Sequence, residues 1–486
     1  MSDATRHYHE ISTHKRDRLV GAGNLDWSNE PGKAKVYRGA PEVHLPAPEP
    51  LGADLADVFS GRVKARGAAP GAVDLSALMY FSYGVTASKG GHDFRAAPSA
   101  GGLFPAEIYL CCGNMEGLDA GLYYFNPIFG KVLQVAAGDF RGVIAGALAG
   151  GGEYAAYVVV TAIPWRSSWK YGERAYRYCM LDVGHVAGNL LLVGSALGLE
   201  PRLITQFAEQ PINAMMGIDG EGEFPMAVIG VSQTLGGVAE APAELSPRIA
   251  EPLSARPGIE ASVSAVHREE RWDGKRGLPD LPPSFREGGE AMSMRSGMVP
   301  GGSLEKLLTQ RHSFRGGAKA PLALDDLSSY LSAVTWAYPV DWMPGEWKSN
   351  LLPDLTLVAL GAEGLGEGIY RYYAEHRALL KTGAAVDRET LAAACMGQRF
   401  IAKANAFLVI SIDFARLQQP GAYRIAGLDA GVVGQFAYLA AEALGAGCCG
   451  IGAFFEGELS RLIGYDGRDR IALYGLTFAK RKRFQL

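Results

Sequence analysis

Long apolar runs are missing from this sequence: stretches such as Leu190–Leu199 fall far short of the roughly 20 residues that a membrane-spanning helix needs. A basic excess is missing too, because 47 Lys and Arg residues face 51 Asp and Glu residues, giving a net charge of −4. This balance argues against nucleic-acid binding. Residues 1–17 are polar and contain no apolar core of a signal peptide. We therefore expect no membrane partner, no nucleic-acid partner and a cytoplasmic location.

Motifs for metals and for dinucleotides are also absent. The six cysteines form no CxxC motif, and the adjacent pairs Cys111–Cys112 and Cys448–Cys449 lie in apolar runs. This pattern favours small buried side chains over redox or metal chemistry. His7, His9 and His14 have no Cys or carboxylate at a matching spacing, so we expect no metal site. No GxGxxG motif opens a βαβ unit, so a Rossmann site has no support.

The chain contains an internal duplication. Leu181–Phe207 aligns without a gap to Leu428–Phe454 at an offset of 247 residues, with ten of 27 positions identical. GLYYF at Gly121–Phe125 matches GIYRY at Gly368–Tyr372 at the same offset. One constant offset over separated segments predicts a tandem copy of a unit of about 200 residues, a period too long for a solenoid.

Apolar strands and helices alternate within each copy, which predicts an α+β fold. YVVVTAIP at Tyr157–Pro164 and AFLVISID at Ala406–Asp413 are typical of buried strands, and the helical segments between glycines are apolar nearly all round. We predict a first domain over 1–240, a linker over 241–300 that is rich in Pro, Glu, Arg, Ser and Gly, and a second domain over 301–486. Two copies of one fold would pack as a pseudo-dimer within one chain.

Two basic segments of the second half are candidates for phosphate binding. Arg311, Ser313 and Arg315 alternate in QRHSFR, so that two guanidinium groups and a hydroxyl can converge on one anion. Lys480–Arg483 adds four consecutive cations after the last predicted strand. A solvated basic turn and a solubilising tail are the alternative interpretations. The first half has GRVKAR and VSQTLGG at the matching places, without the serine and without the terminal cations.

Two segments of small residues could approach a planar ligand closely. GAGCCGIGAF at Gly445–Phe454 lies in the second half, where the first half has the bulkier GLEPRLITQF. PSAGG at Pro98–Gly102 offers backbone N–H groups and one hydroxyl in the first half, where the second half has PGEWKSNLLP. Each half therefore carries one component that the other half lacks.

WKYGERAYRY at Trp169–Tyr178 gathers lysine, tyrosine and arginine just before a core helix. A pair such as Lys170 and Tyr171 can move a proton or hold an anion beside a cofactor. A polar surface turn is the alternative. We interpret His185, inside the core helix, as a buried histidine whose hydrogen bonds are satisfied rather than as a catalytic residue.

Together these motifs resemble the nitroreductase superfamily of FMN-dependent oxidoreductases, and more narrowly its SagB-type dehydrogenases, which oxidise thiazolines and oxazolines in peptides. The resemblance covers both halves and rests on five motifs: RxSxR at 311–315, PSAGGLFPAEIYL at 98–110, GLYYF at 121–125, KYGERAYRY at 170–178 and LDVGH at 181–185. It implies an α+β fold with FMN at the interface of two units.

The resemblance also implies roles for single residues. The flavin phosphate would be bound by Arg311, Ser313, Arg315, Lys480 and Arg481. The ring would be covered by Pro98, Ser99, Ala100 and Gly101, approached by the backbone of Gly452 and Ala453, and reached at its pyrimidine edge by Gln398. The matching Lys–Tyr pair, Lys170 and Tyr171, would be catalytic.

The sequence departs from the family at the reciprocal site, which lacks the serine, the small loops and the terminal cations. We therefore expect one FMN per chain. Three functions stay open: a SagB-like dehydrogenase of a small-molecule or peptide substrate, an NAD(P)H-dependent nitro or quinone reductase, and a non-catalytic flavin-binding partner in a peptide-modifying complex. The pseudo-dimer can exist as a monomer or pair further as a homodimer.

Overall fold

The computed structural model describes residues 2–18, 25–234, 237–238, 245–272, 291–294, 299–341, 353–417, 420–466 and 470–481. Its strands are β1 (Glu42–Val43), β2 (Val85–Lys89), β3 (His92–Arg95), β4 (Ala106–Cys112), β5 (Gly121–Asn126), β6 (Lys131–Ala137), β7 (Tyr154–Ala162), β8 (Arg202–Ile204), β9 (Phe224–Gln233), β10 (Ala291–Ser293), β11 (Asp354–Ala359), β12 (Gly368–Tyr373), β13 (Ala378–Gly383), β14 (Ala406–Asp413), β15 (Ala446–Ile451) and β16 (Arg470–Lys480).

The helices lie between and around these strands. They are α1 (Asp3–Ile11), α2 (Leu55–Phe59), α3 (Ala72–Tyr83), α4 (Arg141–Ala147), α5 (Pro164–Tyr171), α6 (Ala175–Ala196), α7 (Glu209–Met216), α8 (Ala261–Glu269), α9 (Leu304–Gln310), α10 (Leu324–Val334), α11 (Arg388–Ala394), α12 (Ala422–Ala443) and α13 (Glu456–Leu462).

The described residues form two seven-stranded sheets of identical topology. The first has the order β1-β6-β5-β4-β7-β9-β8 and the second the order β10-β13-β12-β11-β14-β16-β15, with every neighbouring pair antiparallel. The duplication extends to an irregularity of the register, which lies between Val160 and Thr161 in one copy and between Ile410 and Ser411 in the other. The predicted tandem α+β units are thus confirmed.

The core helices α6 and α12 are both 22 residues long and start 247 residues apart. Their nearly all-round apolar composition matches their position, since almost every residue of both helices is buried. The helical stretch Pro164–Ala196 is long and apolar enough to cross a membrane, but 89% of its most apolar window is buried inside the protein. This stretch is therefore explained as part of the core.

The two units pair reciprocally, as the subunits of a two-fold dimer do. Leu55 N donates to Gly302 O (2.9 Å), and Leu304 N donates to Ala53 O (3.0 Å). Equivalent segments of the two units thus exchange equivalent hydrogen bonds. The helices α6 and α12 pack against each other along the interface. The intrachain pseudo-dimer expected from the sequence is present.

The predicted linker over 241–300 contributes structure of its own where it is described. It contains α8, and Leu253 O and Glu251 N bond to Gly32 N and Val36 O of the first unit (both 2.9 Å). β10 joins the edge of the second sheet. The polar composition of 241–300 predicted a linker. Its backbone can nevertheless bond to both units, because backbone hydrogen bonds do not depend on side-chain composition.

Candidate functional site

A cleft between the two units brings together most of the residues singled out in the sequence. It is lined from the first unit by the Pro98–Gly101 loop and by Tyr171, and from the second unit by Ser313, Arg315 and Gln398, and it also includes Gly452 and Ala453. Residues that lie more than 200 positions apart thus share one cavity, because the pseudo-dimer juxtaposes the two units.

The Pro98–Gly101 loop is held by a buried carboxylate of α6. Ser99 Oγ donates to Asp182 Oδ2 (2.5 Å), Ala100 N donates to Asp182 Oδ1 (3.2 Å), and Phe104 N donates to Ser99 Oγ (2.8 Å). Burial raises the pKa of Asp182 to about 7, against the two hydrogen bonds that lower it. The serine of the motif therefore fixes the shape of the loop.

Lys170 and Tyr171 end α5 directly beside this loop. A Cβ built on Gly101 would lie 2.4 Å from Tyr171 Oη and 3.3 Å from Lys170 Nζ, and Gly101 has a φ of +65°. Only glycine satisfies both the space and the backbone conformation. The Tyr171 ring packs on Tyr178 (centroids 4.6 Å apart), and burial raises the pKa of Tyr171.

The second unit forms one long wall along β15. At one end, Phe314 N donates to Cys448 O (2.8 Å), which places the neighbouring Ser313 and Arg315. Ser313 Oγ bonds Tyr438 Oη (2.9 Å), and Tyr438 Oη accepts from Gly450 N (2.7 Å). A hydroxyl and a guanidinium group therefore meet at this end of the cleft.

The other end of the wall is the Gly452–Ala453 loop, which is held by two side chains, Gln398 and Arg174. Gln398 Nε2 donates to Ala453 O (3.0 Å) and to Cys395 O (2.9 Å). The buried Arg174 donates to Gly452 O (3.2 Å from Nε and 2.6 Å from Nη2). The loop is thus fixed through its carbonyl oxygens.

Four of the predicted basic residues, Lys170, Arg311, Lys480 and Arg481, are not among the described residues that line the cleft. Lys170 instead lines a separate pocket with Trp165 and Trp169. Arg311 is 7% exposed and donates to Ala96 O (2.8 Å) and Arg95 O (3.0 Å), which bridges the two units. Lys480 Nζ bonds Asp326 Oδ2 (2.5 Å) and Leu444 O (2.7 Å). Arg481 pairs with Glu442. Lys482 and Arg483 lie outside the described residues.

The comparisons with known proteins agree with this architecture. The family model described as "Nitroreductase family" matches residues 73–233 and 308–479, which is one match in each unit. The chain belongs to the nitroreductase family. A nitroreductase-family crystal structure from Anabaena variabilis ATCC 29413 covers 99% of this chain with a TM-score of 0.78 at 24% identity, and this chain covers all of it. That likeness confirms the fold over the whole tandem chain.

Curated relatives of this nitroreductase-family chain match about a third of it or less. The Methanocaldococcus jannaschii protein MJ1384, named as a nitroreductase, is 29% identical over 33% of this chain and 80% of its own length. The Microcin B17-processing protein McbC of Escherichia coli is 27% identical over 28% of this chain, and the Trifolitoxin-processing protein TfxB of Rhizobium leguminosarum bv. trifolii is 24% identical over 27%. The matches span 52% of McbC and 38% of TfxB.

Several cleft residues were missed by sequence reasoning: Asp182, Tyr178, Tyr438, Cys449 and Tyr474 line the cleft with His185. For three of these lining residues a signal exists in the duplication. At the offset of 247 residues, His185, Tyr438 and Tyr474 correspond to Val432, Leu191 and Ala227. Positions that differ in polarity between two copies of one fold are not required by the fold.

The pseudo-symmetric second site is filled by the chain itself. Thr205 and Gln206, the counterparts of Gly452 and Ala453, donate their backbone N–H groups to the Asp341 carboxylate (2.8 and 2.7 Å). Leu203 N donates to Pro339 O (3.0 Å), and Tyr338 Oη donates to Asp429, the counterpart of Asp182. The segment 338–341 therefore occupies the position that the cleft keeps open in the first site. PGEWKS, at 344–349, lies outside the described residues.

Proposed function

We propose that this nitroreductase-family chain is an FMN-dependent oxidoreductase that binds one flavin in the cleft between its two units. The observation that carries the proposal is the convergence of complementary components: the small-residue loop at Pro98–Gly101 from one unit, and Ser313, Arg315 and the Gly452–Ala453 loop from the other. The filled second site, with Asp341 on its backbone donors, supports a stoichiometry of one.

The residues present fit a molecule that has a planar end and an anionic end. Glycines keep the cleft walls thin: a Cβ on Gly452 would lie 2.6 Å from Tyr178 Cε1, and one on Gly450 would lie 1.8 Å from Tyr474 Oη. At the opposite end, Ser313 offers a hydroxyl and Arg315 a guanidinium group, which suit a phosphate. An isoalloxazine ring with a ribityl phosphate has this shape and polarity.

When bound, FMN supplies two-electron redox chemistry, and the protein supplies orientation and electrostatics. Ser313 and Arg315 would hold the phosphate, and the Pro98–Gly101 loop would pack on the ring. Gln398 fixes the Gly452–Ala453 loop, which would lie beside the ring. Arg311 aligns the two units by bonding the backbone before the Pro98 loop.

Lys170 and Tyr171 are the groups that exchange a proton with the substrate. Both side chains lie beside the Pro98–Gly101 loop, in the space that a side chain on Gly101 would need. Burial raises the pKa of Tyr171, so its phenol stays protonated at neutral pH and donates a hydrogen bond from Oη. Lys170 Nζ, beside it, takes the acidic proton that an oxidised substrate releases when its amine is neutral, because only the neutral amine has a free electron pair.

A SagB-like dehydrogenase is the activity we propose, with azoline rings in a modified peptide as substrate class. Its support is the pair of relatives named as peptide-processing proteins, McbC and TfxB. The oxidation removes a hydride from ring carbon and a proton from the neighbouring atom, and it converts the azoline into an aromatic azole.

The test is to purify the full chain, quantify released FMN per chain and assay two substrates. Azoline-containing peptide should be oxidised in the absence of NAD(P)H, with one FMN per chain. Turnover of quinones or nitro compounds with NAD(P)H alone would replace this activity by a reductase. Bound FMN without turnover of either substrate would leave a flavin-binding partner, and an absence of binding after added FMN would overturn the flavin proposal.

A further inference from the structure

A continuous chain of buried side chains leads from the cleft into the interface of the core helices. Tyr474 Oη bonds His185 Nε2 (3.0 Å), and His185 Nδ1 bonds Gln435 Oε1 (2.9 Å). Gln435 Nε2 donates to Asn189 Oδ1 (2.6 Å), and Asn189 Nδ2 donates to Ser82 O (2.9 Å). The chain alternates between the two units, and Tyr474 and His185 line the cleft.

One backbone carbonyl sets the direction of every bond in this chain. Ser82 O can only accept, so the amide of Asn189 must turn its NH₂ group to Ser82 and its oxygen to Gln435. Gln435 then presents its oxygen to His185, whose Nδ1 must carry a proton. Burial lowers the pKa of His185 to about 3, so the ring is neutral and its Nε2 is an acceptor.

Tyr474 therefore donates its hydroxyl proton to His185 Nε2. The Tyr474 hydroxyl can then only accept a further hydrogen bond, through the lone pairs of its oxygen. A group bound in the cleft against Tyr474 must consequently be a hydrogen-bond donor. A second acceptor at this point would leave a buried oxygen unpaired, which is unfavourable.

The fold does not need this arrangement, because the other copy does without it. His185 faces Gly434, where a Cβ would lie 2.8 Å from the imidazole ring. The counterparts of His185 and Gly434 are Val432 and Ala187. A glycine is thus paired with the histidine in one copy, and an alanine is paired with the smaller valine in the other. Tyr474 and its close neighbour Gly450 correspond in the same way to Ala227 and Leu203.

Tyr474 lies midway along the cleft. β15 runs from Cys448, beside the Ser313 end, to Ile451, which precedes the Gly452–Ala453 loop, and Gly450 packs against Tyr474 Oη between these ends. If a phosphate lies at one end and a planar ring at the other, a linking chain passes Tyr474. In FMN the linking chain is ribityl, whose hydroxyl groups are donors.

We propose that the Tyr474 hydroxyl, oriented by His185, accepts a hydrogen bond from the ribityl chain and selects flavins that carry it. This inference rests on the proposed function, because it assumes that FMN occupies the cleft. His185 acts here as a positioning residue that determines which way the tyrosine hydroxyl points.

The test compares the affinities of the flavin-stripped full chain for FMN, riboflavin and lumiflavin, which lacks the ribityl chain. Tyr474→Phe should weaken the binding of FMN and riboflavin about fivefold to tenfold and leave lumiflavin unchanged. His185→Val removes the acceptor of the Tyr474 hydroxyl without adding a side chain at Gly434, where a Cβ would lie 2.7 Å from Tyr474 Cε1, and it should show the same pattern. If this variant does not fold, Tyr474→Phe alone decides.

Tyr330→Phe is the matched control, because it removes a buried hydroxyl that bonds none of the described residues, and Tyr330 is not in the described lining of the cleft. It should leave all three affinities unchanged. An equal loss of affinity for lumiflavin, or no loss for riboflavin, would overturn the role of Tyr474. Failure of the unmutated chain to bind any flavin would instead overturn the proposed function, and this inference with it.

Discussion

Gly184 and Gly431 face each other across the pseudo-two-fold axis, each where a side chain would strike the other helix. A Cβ on Gly184 would lie 2.2 Å from Leu428 O, and a Cβ on Gly431 would lie 2.3 Å from Leu181 O. The pseudo-two-fold symmetry relates these two contacts to each other. The helices α6 and α12 can therefore approach backbone to backbone.

Gly184→Ala should push α6 and α12 apart and lower the thermal stability of the flavin-free protein. Overpacking of this kind costs about 1–3 kcal/mol, and the clash here is with backbone atoms that cannot rotate away. Differential scanning calorimetry measures the loss. Gly146→Ala in α4 is the control, since no described atom outside its own helix lies within 4 Å of the added Cβ. Equal melting temperatures for the two variants would show that the helices are not in rigid contact.

The duplication was the part of the fold that the sequence could predict. Two copies at a fixed offset of 247 residues share buried side chains and glycines, and these specify equal helices and an equal sheet order. Local pattern also located Pro98–Gly101 and the Lys170–Tyr171 pair, because small or polar residues interrupt apolar segments there.

The partner of each long side chain could not be predicted, because partners come from the other unit. Arg311 and Arg315 are alike in the sequence, yet Arg311 is buried against carbonyl oxygens of the first unit and Arg315 lines the cleft. Likewise, nothing local in the sequence indicates that Asp341 reaches the backbone of Thr205. Such contacts depend on how the units pack.

Arg311 and Arg315 should respond differently to substitution. Arg315→Gln should weaken FMN binding at least tenfold more than riboflavin binding, because it removes a charge from a phosphate that riboflavin lacks. Arg311→Lys should weaken both ligands equally and lower the melting temperature, since lysine lacks the planar fork that bonds Ala96 O from Nε and Arg95 O from Nη2. Fluorescence titration gives the two affinities. A selective loss of FMN binding in Arg311→Lys would make Arg311 a phosphate ligand.

Asp182 should make the flavin-free protein less stable as the pH rises from about 4 to about 7. The folded state keeps the Asp182 proton up to a pKa of about 7, whereas the unfolded state releases it near its usual value of 3.8. Between these values the folded state binds more protons, so unfolding becomes easier with increasing pH. Asp182→Asn should lose this part of the pH dependence in urea unfolding. Parallel curves for the two proteins would place the carboxyl in a solvated state.

Lys170→Met should retain the flavin and lose turnover. Removing a group that exchanges a proton with the substrate costs about 10²- to 10⁴-fold in kcat, whereas the phosphate and ring contacts proposed for FMN lie on other residues. Tyr171→Phe should act in the same direction. Rapid-mixing absorbance measurements follow flavin reduction by the azoline peptide. Lys89→Met at the exposed end of β2 is the control and should leave the rate unchanged; an unaffected rate in Lys170→Met would remove the lysine from the reaction.

Asp341→Ala tests whether the second site is closed by its own chain. The substitution leaves the N–H groups of Thr205 and Gln206 without their acceptor, which costs about 1–3 kcal/mol for each buried donor, so the melting temperature should fall. The melting temperature of Asp341→Asn should fall less, because asparagine keeps one acceptor oxygen.

The flavin content of Asp341→Ala should nevertheless stay at one per chain. Opening the second site does not restore the phosphate-binding groups of the first: in the aligned segment GRVKAR the counterpart of Ser313 is Lys64, and Arg66, the counterpart of Arg315, is already paired with Asp74. Released flavin per chain, measured after loading with excess FMN, decides the matter. A value that rises towards two would mean that the segment at 338–341 is a removable occupant of a complete site, and the two copies would then differ in access rather than in chemistry.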